Sequence, residues 1–179
     1  LIYYQENELA MIEDEKALLF FYDLAKGEIT DKRRFGKDAD YEGLEKAGDK
    51  MYALKSDGDV FEIRDYGSDK ITSKKFETCM GKSNDTEGMT YDPINQQLLI
   101  SCKASPYITT KKYKGAKAIY AFDLLKGVVI EEPVILVDRM ALKNYFESRL
   151  TPGQKWPEAK IKFNPSAIAV HPTLDEIYI

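Results

Sequence analysis

Apolar residues along this chain come in short runs, too brief for helices, separated by polar breaks that contain Gly, Asn or Asp. "KMYALKS" (50–56), "QLLISCK" (97–103) and "AIYAFDL" (118–124) are rich in aliphatic, aromatic and β-branched residues, the make-up of strands. "DVFEIR" (59–64) follows the first of these across Asp57-Gly58, a pair suited to a tight hairpin because Gly accepts positive φ. "KITSKKFE" (70–77) and "EPVILVD" (132–138) come after further Gly-containing turns. The pattern predicts antiparallel strands in succession. One stretch breaks it: Met140, Leu142, Tyr145, Phe146 and Leu150 have helical spacing, and Thr151, Pro152 and Gly153 would end the helix. This insertion, residues 139–163, is expected as a loop with a short helix over one face, shielding apolar surface or closing over a site.

The runs repeat. "DYEGL" (40–44) returns as "DTEGM" (85–89), and "YDPINQQLLI" (91–100) aligns without a gap on "VHPTLDEIYI" (170–179), a shift of 79 residues that also carries "DTEGM" onto "NPSAI" (164–168). "FYDLAKG" (21–27) matches "AFDLLKG" (121–127). The Glu-Gly motif stands just before "KMYALKS" and "QLLISCK", which are taken as the first strands of their units. Three or four short strands per unit, at a period near 45 residues, is the signature of a β-propeller blade, so the fold class is all-β. The expected blades are 1–39, 40–84, 85–163 and an incomplete 164–179, all of one domain. The chain opens at Leu1 in strand-like sequence and stops at Ile179 within an apolar alternation, so remaining blades are expected outside it.

Composition changes this picture little. With 26 basic and 30 acidic residues the net charge is −4, which argues against a general affinity for nucleic acid or anionic membrane. No run of eighteen apolar residues signals a transmembrane helix. Cys79 and Cys102 lack metal-site or redox-motif spacing and read as isolated thiols.

"DYEGLEKAGDKMYALKSDGDVFEI", "NDTEGMTYDPINQQLLISCK", "KAIYAFDLLKG" and "FNPSAIAVHPTLDEIYI" together resemble the SdiA-regulated family of bacterial β-propellers. The resemblance covers most of residues 8–138 and 162–179. It implies a six-bladed propeller exported beyond the inner membrane, often a lipoprotein anchored upstream, without a well-established catalytic activity. Calcium binding by acidic side chains near the central channel is a further implication.

The acidity of the Glu-Gly motif exceeds what a turn requires. In a propeller Glu42 and Glu87 would approach the axis from neighbouring blades, with Asp40, Asp85 and Asn164 beside them. Clustered carboxylates demand protonation, a basic partner or a cation, and carboxylate and amide oxygens suit Ca²⁺ rather than Zn²⁺. A single His excludes a His-rich metal site. The plainer reading is that each Glu accepts backbone N–H bonds from the adjoining blade while Gly shapes the turn. Ser166 and Ala167 replace Glu-Gly in the fourth copy, which excludes a symmetrical ring of ligands. His171, aligned with Asp92 before Pro, reads as a turn residue. Lys111, Lys112, Lys114 and Lys117, interleaved with Tyr107 and Tyr113, could hold an anion or single-stranded nucleic acid but read more simply as a solvated hairpin loop. No nucleophile elbow, P-loop or dinucleotide fingerprint occurs. These features favour a non-enzymatic scaffold that binds a protein, glycan or small ligand, with Ca²⁺ in or near the channel. The alternative is a metal-dependent hydrolase of phytase-like or lactonase type.

Overall fold

The computed structural model describes residues 1–68, 70–108, 111–154, 163–174 and 176–179, the side chain of Lys111 excepted. The chain folds into consecutive antiparallel sheets, each built from strands adjacent in sequence. The first sheet takes β1 (Ile2–Gln5), β2 (Glu8–Ile12), β3 (Leu18–Asp23) and β4 (Glu28–Arg34) in that order. The second takes β5 (Tyr41–Ala47), β6 (Lys50–Lys55), β7 (Val60–Arg64) and β8 (Thr72–Phe76). The third has β9 (Thr86–Asp92), β10 (Gln97–Cys102) and β11 (Ala116–Asp123), with β12 (Val128–Val129) and β13 (Ile135–Asp138) both pairing with β11. A fourth begins with β14 (Ala169–Val170) and β15 (Ile177–Tyr178).

The first unit carries a full set of four strands. One point of the sequence reading changes. The Glu-Gly motif lies inside the first strand of its sheet, β5 or β9, so "KMYALKS" and "QLLISCK" are second strands. Interrupting Gly and charged residues hide β5 from a hydrophobicity pattern.

The sheets stack face to face. Met51 and Ala53 of β6 pack toward the first sheet with Leu19, Tyr41 and Ile63, whereas Tyr52 and Leu54 pack toward the third with Leu98, Ile100, Tyr120 and Phe122. That two-sided burial is why "MYAL" shows no polar alternation. Each such aliphatic contributes about 1.5–3 kcal/mol on burial. Leu99, Ile119 and Ala121 pack in turn against Ile168 before β14. The outer strands β4 and β8 are largely exposed and rich in Lys and Arg, which discourages pairing with another chain.

The repeats seen in sequence are repeats of geometry. Asp23 Oδ1 accepts the N–H groups of Ala25 and Lys26, both at 2.9 Å, and Asp123 Oδ1 does the same for Leu125 and Lys126, with Gly27 and Gly127 at φ 71° and 70°. Asp92 caps the β9–β10 turn through Ile94 N and Asn95 N, and His171 Nδ1 takes the same part in the β14–β15 turn, accepting from Thr173 N and Leu174 N. His171 is the turn residue the alignment predicts.

The junctions between sheets repeat as well. Tyr41 N donates to Asp14 O at 2.7 Å, and one unit later Thr86 N donates to Ser56 O at 2.9 Å. At the third junction the 79-residue shift places Pro165 where Thr86 stood, and proline has no N–H to give. The Lys103 carbonyl, equivalent by register to that of Ser56, instead accepts from Nζ of the buried Lys117. Burial first, and Arg139 second, lower the pKa of that ammonium.

Helix α1 (Arg139–Glu147) starts at Asp138, whose side chain accepts from Met140 N and Ala141 N, and is capped at Ser148, short of the predicted end at Leu150. None of its residues is buried, Leu142 is half-buried, and Met140 and Tyr145 stay exposed. Residues 155–162 of the insertion lie outside the described residues.

Candidate functional site

Glu42 and Glu87 occupy the same unusual backbone position. Against β6, Tyr41 pairs with Lys55 and Gly43 with Leu54, so Glu42 is an extra residue without a partner; against β10, Gly88 pairs with Ser101 and Thr86 with Cys102, which isolates Glu87 in the same way. Each is therefore a β-bulge, a device that re-aims one side chain out of the alternation of its strand. The glycine that follows has its own reason. A Cβ on Gly43 would lie 3.2 Å from Cβ of Met89 in the next sheet, and one on Gly88 would lie 2.9 Å from the backbone of Ala167 and Ile168. Neither glycine is at positive φ, so the motif records close approach of successive first strands and not a turn.

The bulges bring four carboxylates from two sheets to one end of the stack, where Asp40 and Asp85 directly precede β5 and β9. Lys103, just beyond β10, donates from Nζ to Glu87 Oε1 at 2.5 Å and lies 4.0 Å from Asp85 Oδ2. Glu42 has no such ion pair among the described residues. Its carboxyl is pushed up to about 7, chiefly by burial, then by the charges of Glu87 and Asp40, with Lys103 opposing. By register the position of Lys103 is Ser56 in the preceding sheet, and a hydroxyl there supplies no charge. Asn164 is exposed and makes no side-chain hydrogen bond to these four acids.

The expectation that the motif glutamates accept backbone N–H bonds across the junction is not met. That task falls three residues later. Glu45 Oε2 accepts Tyr91 N at 3.0 Å, and at the next junction Thr90 Oγ1 accepts Val170 N at 3.3 Å. The bulge explains the exchange, since it turns Glu42 and Glu87 away from the neighbouring strand while Glu45 keeps facing it.

Among the described residues no three His, Cys, Asp or Glu side chains come together in a group able to hold a metal ion. The lysine- and tyrosine-bearing loop is tied to protein groups. Lys112 and Tyr113 bind Glu132, Lys117 is buried, and Asn84 holds the carbonyls of Ser105 and Tyr107 at 3.1 Å each. Tyr120 Oη donates to Pro106 O at 2.8 Å. Cys79 and Cys102 are free thiols, and burial raises the Cys102 pKa to about 12. No described helix is long and apolar enough to cross a membrane.

No family model matches the chain, and no curated protein does. Among solved structures it is similar to the hydrazine synthase of Kuenenia stuttgartiensis, at 12% identity and TM-score 0.43 over 72% of this chain and 46% of that one. A chain of the mitotic checkpoint complex is similar at 13% identity and TM-score 0.44, over 73% and 48%. The glutaminyl cyclase of Myxococcus xanthus is similar at 17% identity and TM-score 0.37, over 89% and 75%. The chain spans about half the length of the first two. Likeness this distant transfers no function.

Proposed function

We propose that these residues form three blades and the start of a fourth in a six-bladed β-propeller of the SdiA-regulated kind, a non-enzymatic extracytoplasmic binding module. Its first-strand face takes a positively charged group. The architecture is supported by consecutive sheets stacked face to face, with first-strand glycines in close approach and junction bonds that repeat. Export and an upstream lipid anchor rest on the sequence resemblance, and cell fractionation of the full-length protein checks them.

The observation that carries the binding reading is the inequality of two equivalent bulges. Glu87 holds an ammonium, whereas Glu42, in the same position one sheet earlier, has none among the described residues and stands beside Asp40. Four carboxylates against one lysine leave a face that attracts cations. The oxygens suit Ca²⁺ in kind, although the described side chains form no ready-made cage, and Glu42 with Asp40 would be the pair that responds to the ion. We assign no catalytic residue. The His171 ring is committed to its turn, and burial holds both thiols above their usual range.

Thermal unfolding in EGTA, then in rising Ca²⁺ at constant ionic strength, tests this. Wild type should gain about 2.7 kcal/mol at a hundredfold excess over Kd, and Glu42→Gln with Glu87→Gln should abolish the gain. Equal midpoints for wild type and the double variant at every Ca²⁺ concentration would show the carboxylates to be architecture alone.

A further inference from the structure

We propose a second binding site at the opposite end of the first two sheets, with a neutral, polyhydroxylated ligand, a saccharide, as its occupant. A cavity of about 470 Å³ lies there, lined by Tyr4, Asp49, Lys50, Arg64, Asp65 and Tyr66. It falls within the range of about 300–1,000 Å³ found for small-molecule sites. Tyr4 and Tyr66 also line a second cavity of about 150 Å³. The β5–β6 turn that carries Asp49 is a seven-residue strand away from Asp40, about 20 Å, so the site is separate from the carboxylate face.

Tyr66 is the informative residue. Only 9% of it is exposed, its ring meets that of Tyr4 edge-on at 5.7 Å, and its hydroxyl hydrogen-bonds to no described residue. The hydroxyl itself is not sealed off, so its O–H is free for a molecule seated in the cavity. Burial, then Tyr4 and Asp49, raise its pKa, which places these three groups together at the cavity. The exposed Asp49 carboxylate, at the rim of the cavity, has no hydrogen-bond or ion-pair partner among the described residues.

The charges of the lining choose the ligand class. Lys50 and Arg64 are both engaged by the buried Glu62, Lys50 Nζ at 3.0 Å and Arg64 Nε at 2.5 Å, and Tyr52 Oη adds a bond at 3.1 Å. An anion would therefore compete with a carboxylate already in place. A cation would meet those two basic side chains, and an apolar ligand would strand the phenol and carboxylates. A neutral ligand with several hydroxyls satisfies all of them, accepting from Tyr66 and the unused N–H groups of Arg64 while donating to Asp49 and Asp65.

The full chain is titrated with glucose, galactose, mannose, N-acetylglucosamine and their β-1,4-linked disaccharides, followed by amide NMR shifts and calorimetry. At least one should bind saturably with shifts centred on Asp49, Tyr66 and Gly67. Tyr66→Phe should raise its Kd about tenfold while leaving the thermal midpoint unchanged, because the hydroxyl has no partner among the described residues to lose. Glu42→Gln should leave Kd as it is, so failure here is distinguishable from failure of the cation reading. The proposal is overturned by absence of saturable binding across the panel, by undiminished binding in Tyr66→Phe, or by inorganic phosphate displacing the sugar from these residues.

Discussion

Glu42 and Glu87 share a motif, a bulge and a place in consecutive sheets, yet their charges are handled in opposite ways. Glu87 is paired with the ammonium of Lys103, while Glu42, with Ser56 where a lysine would be, is held toward its neutral form by burial and by the acids around it. A repeat fixes where a side chain goes. The neighbour one strand over decides whether it is paired.

The largest test concerns the glycines beside these residues. Gly88→Ala would place a methyl 2.9 Å from the backbone of Ala167 and Ile168 and 2.8 Å from Ser101 Oγ, and should destabilise by about 2–3 kcal/mol. Gly43→Ala meets Met89 Cβ at 3.2 Å and Leu54 Cβ at 3.4 Å, side-chain atoms that can yield, and should cost about 1 kcal/mol. Urea denaturation of both variants checks the order; a larger loss for Gly43→Ala would mean that the junctions are not equivalent.

Next is the substitute donor. Lys117→Met keeps the apolar stem but leaves the Lys103 carbonyl without its donor, a loss of about 1–3 kcal/mol. Since that carbonyl carries the backbone from which Lys103 reaches Glu87, the same variant should also loosen the ion pair, visible as a smaller stability loss on adding Glu87→Gln than wild type shows.

The comparison itself is broken by making one substitution at both bulges. The folded-state pKa of Glu42, about 7, lies above its unfolded value, so between about pH 4.5 and 7 the folded state binds the extra proton and stability falls as pH rises. Above pH 7 the loss is complete, on the order of 1 kcal/mol after allowance for solvent screening. Glu42→Gln should therefore stabilise the protein at pH 8 and flatten its pH dependence. Glu87→Gln removes a half-exposed ion pair and should destabilise by about 0.5 kcal/mol at the same pH. Denaturation midpoints at pH 5 and 8 read both, and equal signs would remove the distinction between the bulges.

The smallest effect sharpens it. Ser56→Lys offers Glu42 the partner that Lys103 gives Glu87, and should lower the Glu42 pKa by about one unit with little change in stability. An unmoved titration curve would show that register equivalence does not bring the two side chains within reach.

The all-β class, the period of the units and the turns at Asp23, Asp123 and His171 were legible in sequence, because strand composition and turn chemistry act over a few residues. So was the special status of the Glu-Gly motif. Its strand was not, since β5 carries Glu42, Gly43, Glu45 and Lys46 and resembles a polar connection until the sheet is assembled. Helix α1 was found, but its exposed apolar residues were not, because spacing shows which residues share a face and not whether anything covers it.

What the sequence determined by itself is local and periodic: strands where two-sided burial demands unbroken apolar runs, glycines where the repeat places them, and a surplus of carboxylates at one position of the unit. Only the tertiary structure decided the rest. Pairing register made Glu42 and Glu87 bulges, contact between successive sheets gave the glycines their purpose, and Pro165 left a carbonyl that Lys117, forty-eight residues earlier, came to satisfy. Hydrogen bonds and charges act through space over a few ångströms, and no distance along the chain states which residues will be that close.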